Sequence, residues 1–202
     1  AVPTPSRGGC TRLVYDTRGG RAPRRLGHHE LALVGTEHNC AGGLTPHGSW
    51  LSCEESISGP ERDVAWRVPH GYVFEVPATP GSGLVTPVPI TAMGRMNHEA
   101  VAVDDRTGIV YLTEDRNDSC LYRFIPTMPG RYLEGGRLEA LALIGSPRHD
   151  TRRWETPTVA VQQTARIRWI PLDDVDRPDD SLRYEAWDRG AARFARGEGM
   201  WA

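Results

Sequence analysis

Lysine is absent from this chain of 202 residues, so all 24 of its basic side chains are arginine. That usage fits a GC-rich coding sequence, and arginine is also the better bidentate ligand for phosphate. An excess of positive charge is missing too. The 26 acidic residues bring the formal net charge to −2, and nothing in the balance points to nucleic acid as a partner. No run of eighteen apolar residues occurs, which excludes a membrane-spanning helix. The N-terminus, AVPTPSRGGC, has neither the basic start nor the apolar run of an export signal. Cysteine is scarce: Cys10, Cys40, Cys53 and Cys120 are too few for a disulfide scaffold and match no zinc-finger spacing. GxSxG, Walker and GxGxxG motifs are lacking, as is HExxH among the seven histidines. Serine hydrolase, P-loop and dinucleotide chemistry therefore have no motif to rest on.

What the chain has is punctuation. Its 22 glycines and 16 prolines break it into short segments, and those segments alternate as strands do. CTRLVYD (10–16), ELALVG (30–35), WLSCEE (50–55) and HGYVFEV (70–76) read as strands. ATPGSGLVTPVP reads as a loop. HEAVAVDDRTGIVYLTEDRNDSCLYRFIP (98–126) holds three alternating runs joined by short polar turns, the pattern of an antiparallel meander. RLEALAL (137–143) and ARIRWI add two more strands. Residues 183–199 alone have helical character, weakened by Gly190. Strand-rich meanders of this kind indicate an all-β fold, a sandwich, barrel or propeller.

One stretch concentrates chemistry: HNCAGGLTPHGSWLSCEE, residues 38–55. Here Cys40 precedes an Ala-Gly-Gly turn, and Cys53 is followed by Glu54 and Glu55. A thiolate is a strong ligand for borderline and soft metals. Cys40 is equally readable as a small buried thiol, or as half of a disulfide with Cys53 across a hairpin. Glu54, Glu55, Glu99, Glu114, Asp115 and Glu198 all fall at element ends, where carboxylates can reach a shared cation or simply stay solvated. Glu99 opens an apolar strand, where an unpaired carboxylate is costly to bury. Arg95, Arg116 and Arg196 lie within a few residues of these acids and can neutralise them or clamp a phosphate oxygen.

Taken in order, GCTRLVYDTRG, LALVGT, NCAGGLTPHGSWLSCEE, HGYVFEV, MNHEAVAVDDRTGIVYLTEDRNDSCLYRFIP and ARGEGMW resemble the PhoX-type alkaline phosphatases from about residue 9 to 202. The resemblance implies a β-propeller of antiparallel meander blades, with a short helix near the C-terminus, spanning residues 1–202 as a single domain. It implies hydrolysis of phosphomonoesters in the periplasm or outside the cell, at a centre of iron (Fe3+) and calcium (Ca2+). By position in the motifs, Cys40 corresponds to the cysteine that bridges the irons. Glu54, Glu55, Glu99 and Glu198 become metal-ligand candidates, at least one of Glu54 and Glu55 being expected to bind. Arg196 and Glu198 form the catalytic pair, Arg196 for the phosphoryl oxygens. Glu114 and Asp115 are further candidates, and Cys53 is read as structural.

Two departures qualify what is carried over. The family reads TPWG where this chain has TPHG, placing His47 where a tryptophan stands beside the site. The family also continues well past the EGMW motif, so a partial or truncated propeller is expected. The alternatives are a non-catalytic propeller that binds calcium or a partner, and a calcium-dependent lactonase-type propeller.

Overall fold

The computed structural model describes residues 7–16, 18 and 25–202. Ten strands and one α-helix are present among them. The alternating N-terminal segments form a long hairpin, β1 (Gly8–Asp16) against β2 (Arg25–Thr36), which makes a two-stranded antiparallel sheet of its own. Its anchor is Arg12, a buried guanidinium that bonds Glu30 within the hairpin and donates through Nε to the Pro77 carbonyl (3.0 Å). Leu33 and Ala32 pack with Tyr72, Phe74 and Val76 in a small core that fixes the hairpin to the main sheet.

That main sheet has eight strands: β3 (Asn39–Leu44), β4 (Ser49–Glu54), β5 (Val73–Pro77), β6 (His98–Val103), β7 (Val110–Glu114), β8 (Leu121–Pro126), β9 (Gly136–Leu143) and β10 (Ile167–Pro171). The spatial order is β10-β9-β8-β7-β6-β3-β4-β5. Two antiparallel meanders are therefore joined side by side, β3–β5 and β6–β10. The junction is the one parallel contact, β3 beside β6, with a single register pair, Gly42 opposite Ala100. The sheet is open, so the all-β expectation holds while ring closure is not part of what these strands form.

NCAGG, read from its glycines as a turn, is strand β3. The glycines serve close approach rather than reversal. A Cβ at Gly42 (φ +70°) would lie 2.0 Å from the Leu51 carbonyl oxygen on β4, and one at Gly43 would lie 2.0 Å from that of Val101 on β6. Only glycine lets β3 lie between both neighbours.

The principal core lies on the second meander. Val101, Leu112, Tyr122, Phe124 and Leu138 are buried against Met93, Met96, Leu182, Ala186 and Ala191. The helix expected over 183–199 is shorter: α1 spans Leu182–Asp188. It stops where Gly190 adopts φ +102°, a conformation that ends helices. The chain then runs extended along the sheet, with hydrogen bonds from Phe194 N to Ser119 O (2.8 Å), Arg196 N to Arg116 O (2.7 Å) and Gly197 N to Glu114 O (3.1 Å).

Candidate metal centre

The topology brings four strand ends together. β3 and β6 are parallel, so their first residues share one end of the sheet. β4 and β7 run antiparallel to them, so their last residues arrive at that same end. Cys40 is the second residue of β3 and Glu99 the second of β6, while Glu55 follows β4 and Asp115 follows β7. The pairing is irregular between Cys40 and Gly43, and again between His98 and Val101. Such bulges re-aim side chains next to functional sites, and here each adjoins a cluster residue.

The Cys40 thiol donates to Glu99 Oε1 at 3.1 Å. The Cys40 sulfur and one carboxylate oxygen each from Glu55 and Glu99 lie within 4.8 Å of one another. This is the only such trio of metal-ligating groups among the described residues. Glu99 is buried and Cys40 and Glu55 are partly so. Burial pushes Glu55 above the usual carboxylate range, and a hydrogen bond shared with Asp115 pushes the same way. Burial also raises the Cys40 thiol to about 12, helped by Glu99. Burial first, and the neighbouring groups after it, thus favour the protonated forms of Glu55 and Cys40. A cation placed in the cluster would replace those protons, and a mixed thiolate–carboxylate donor set suits a borderline or hard metal. The residues present therefore fit a metal-ligand set.

Asp115 links this cluster to Arg196, whose Nη2 donates to its Oδ2 at 2.8 Å. Arg196 stands at φ +52°, outside the usual range for a side-chain-bearing residue, and is more than half exposed. The guanidinium thus reaches the rim of the cluster from the extended C-terminal segment. Glu198, two residues on, is exposed and outside the trio; its carbonyl accepts from Thr113 Oγ1 at 2.9 Å.

The adjacent glutamates at the end of β4 separate cleanly. Glu55 enters the cluster. Glu54 faces the other way and is completely buried. One of its oxygens accepts from Glu37 N (2.8 Å) and meets His70 Nδ1 at 2.7 Å; the other accepts from Gly71 N (2.7 Å) and Tyr72 N (3.1 Å). Glu54 stitches three segments together and makes no approach to the trio.

Other sequence candidates also find structural posts. Arg95 is buried and donates to the Ser58 and His70 carbonyls, both at 2.8 Å. Arg116 donates to Asn97 and Asp180. Glu114 is buried beneath the site, accepting from Tyr122 (2.9 Å) and the Cys120 amide (3.3 Å) and facing Arg183 at 3.7 Å. Its carboxyl is raised to about 7, because burial outweighs the attraction of Arg183. His47 does not stand beside the cluster. It occupies the turn after β3, at the far end of the strand from Cys40, paired with Glu75 at 2.7 Å and tilted against Tyr132. All four cysteines are free thiols, so the hairpin disulfide is not formed. Two cavities, of 670 and 710 Å3, lie away from the cluster, one at the opposite end of β3 and β6 and one beside β9.

Asp115, a further candidate in the sequence, lies at the edge of the trio against Arg196. Its signal was weak: an acid after a strand, separable from the buried Glu114 only by which face each takes.

A strand-built cluster of one thiol and several carboxylates, flanked by an arginine, defines a class: an all-β protein with a candidate metal-ligating centre. The family profile described as Alkaline phosphatase PhoX matches residues 24–202, and the chain belongs to that family. Among solved structures, Pseudomonas fluorescens PhoX in complex with vanadate, a transition state analogue, is similar, with a TM-score of 0.54 at 19% identity. That similarity covers 98% of this chain and 43% of the neighbour, so the chain spans less than half the neighbour's length. No curated protein sequence matches the chain.

Proposed function

We propose that this chain carries part of a metal-dependent phosphomonoester hydrolase of the alkaline phosphatase type. What supports the reading most is the convergence of the Cys40 thiol with the Glu55 and Glu99 carboxylates at one end of β3 and β6. Family membership supports the reaction class, and the neighbour's vanadate complex is in keeping with phosphoryl chemistry.

In this reading Cys40, Glu55 and Glu99 would hold ferric iron, with Asp115 as a further carboxylate, and calcium would take oxygen ligands. Metal there supplies positive charge for phosphate oxygens and acidifies bound water. The residues do the rest. Glu99 and Glu55 fix the donor geometry because each sits where a strand starts or stops against a packed neighbour. Asp115 holds Arg196 in its unusual backbone conformation and aims the guanidinium along the cluster rim. From there Arg196 stabilises the charge that grows on the transferring phosphoryl group. Glu198 serves at the same rim. No serine or cysteine nucleophile is needed. In the same reading the two meanders are blades of a β-propeller, with β3 and β6 as neighbouring strands, and the protein works in the periplasm or outside the cell.

Metal analysis of the purified chain, paired with a phosphomonoester assay with and without chelator, tests this. Iron, chelator-sensitive phosphate release, and loss of both in Cys40→Ser are expected. Calcium without iron and no phosphate release would overturn the reading in favour of a calcium- or partner-binding scaffold. Lactone hydrolysis would point to the lactonase type.

A further inference from the structure

The four free thiols are not equivalent. Cys40 and Cys53 are direct register partners on β3 and β4. Directly opposed residues of an antiparallel pair share a face, with Cα atoms about 4.5–5.5 Å apart. A disulfide spans Cα separations of about 4.4–6.8 Å, so this pair can close with little backbone movement. Cys40 turns its thiol to Glu99 at 3.1 Å, and Cys53, its register partner, shares that face of the sheet. The other cysteines are committed elsewhere. Cys10 donates to Ser52 Oγ at 3.2 Å, and Ser52 alternates with Cys53 and so faces the opposite way. Cys120 is buried with its sulfur 3.9 Å from the Arg183 carbonyl.

We infer that Cys40 and Cys53 close a cross-strand disulfide when the metal-free, reduced chain meets a disulfide oxidant, and that metal binding at Cys40 and this disulfide exclude one another. The exclusion rests on the reading of Cys40 as a metal ligand; the pairing itself rests on register alone. Cys40 is partly exposed and Cys53 is fully buried, which sets the order of events. A low-molecular-weight disulfide such as glutathione disulfide is attacked by Cys40, forming a mixed disulfide and releasing one glutathione thiol. Cys53 then attacks the Cys40 sulfur, closing the intrachain bond and releasing the second. Two protein thiols are oxidised and one glutathione disulfide is reduced to two thiols. Once closed, the bond takes the Cys40 sulfur out of the cluster and leaves Glu55, Glu99 and Asp115 as an oxygen-only set. The thiolate site and the pinned hairpin are then alternative states of the same two strands, chosen by whether metal or oxidant arrives first.

Thiol counting on the full chain tests the pairing. Metal-free protein is incubated with glutathione disulfide, alkylated, and mapped by peptide mass. Alkylatable thiols should fall from four to two, with a cross-linked Cys40–Cys53 peptide. Four remaining thiols, a lasting glutathione adduct on Cys40, or a bond to Cys10 or Cys120 would overturn the inference. Zinc ion is the probe for exclusion, since it accepts thiolate and carboxylate ligands without redox chemistry. Zinc should slow closure by about tenfold or more by withholding the Cys40 sulfur. Closure at the same rate with bound zinc would overturn the exclusion. A chain that closes the bond yet binds no metal, by direct metal analysis, would overturn the functional reading and leave the pairing intact. Cys53→Ser, which should accumulate the glutathione adduct at Cys40, is a control whose folding is checked by circular dichroism. The mapping on the unaltered chain stands without it.

Discussion

Glu54→Ala and Glu55→Ala, one residue apart, should have opposite phenotypes. Glu54 is buried and is met by three backbone amides and the His70 imidazole at 2.7–3.1 Å. Alanine leaves the three amides buried without that acceptor, at about 1–3 kcal/mol each. They share one carboxylate, so the low end of the sum applies, and a loss of about 3 to 4 kcal/mol follows. For a chain of this size that lowers the melting temperature by about 10 °C. Glu55 is different: in the metal-free chain its carboxyl is held against Asp115 and is raised by burial. Removing it relieves repulsion, so metal-free stability should stay within about 1 kcal/mol of the parent or rise. Metal binding should be lost. Urea denaturation of metal-free protein, followed by circular dichroism, reads the first quantity, and metal per chain after loading reads the second. If Glu54→Ala keeps its stability but loses metal, or Glu55→Ala does the reverse, the division of labour between these side chains is wrong.

The pH dependence of folding offers a separate check, because two buried groups oppose each other. His98 is buried and lowered to about 4, burial being the cause, so the unfolded chain takes up its proton first and stability falls as pH drops from 6.5 toward 4. Glu114, raised to about 7, works in the opposite sense, since its contribution is lost as pH rises from 4.5 through 7. The two arms nearly cancel; Glu114→Gln should expose the histidine arm as a gain of about 3 kcal/mol between pH 4 and 6.5 in denaturant titrations. Arg196→Gln leaves the nearly buried Asp115 carboxylate without its charged partner, so stability should fall by about 1–3 kcal/mol in denaturant titrations while phosphomonoester turnover falls by about tenfold or more in steady-state assays. Gly43→Ala drives a Cβ to 2.0 Å from the Val101 carbonyl and should lose soluble folded protein, or melt well below the parent.

Period-two alternation made the strands legible, most clearly in 98–126, where polar turns separate apolar runs and the chain forms β6, β7 and β8 in that order. Glycine misled at residues 41–43. The same residues that favour a turn also admit close strand packing, and only the neighbours β4 and β6 decide between the two. Helical spacing overran α1 because the extended stretch after Gly190 is held by carbonyls of residues 114, 116 and 119, far back in the chain. The site was half legible. Cys40, Glu55 and Glu99 stood among the candidates, but choosing between Glu54 and Glu55 required knowing which face of β4 met His70 and which met Cys40. That is a tertiary fact, and the same holds for Asp115 against Glu114.

The seam between β3 and β6 has a consequence for how the molecule assembles. Each meander is built from near-neighbour pairings and can form early and independently, whereas the seam unites residues 59 positions apart, as in Cys40 with Glu99. Its backbone pairing is one register couple wide. The seam should therefore form late, and hydrogen exchange at residues 40–43 and 98–101 should report openings smaller than global unfolding. A nascent chain would meet its ligand-bearing strands already folded but not yet docked, so a bound cation would act as the rivet that closes the joint.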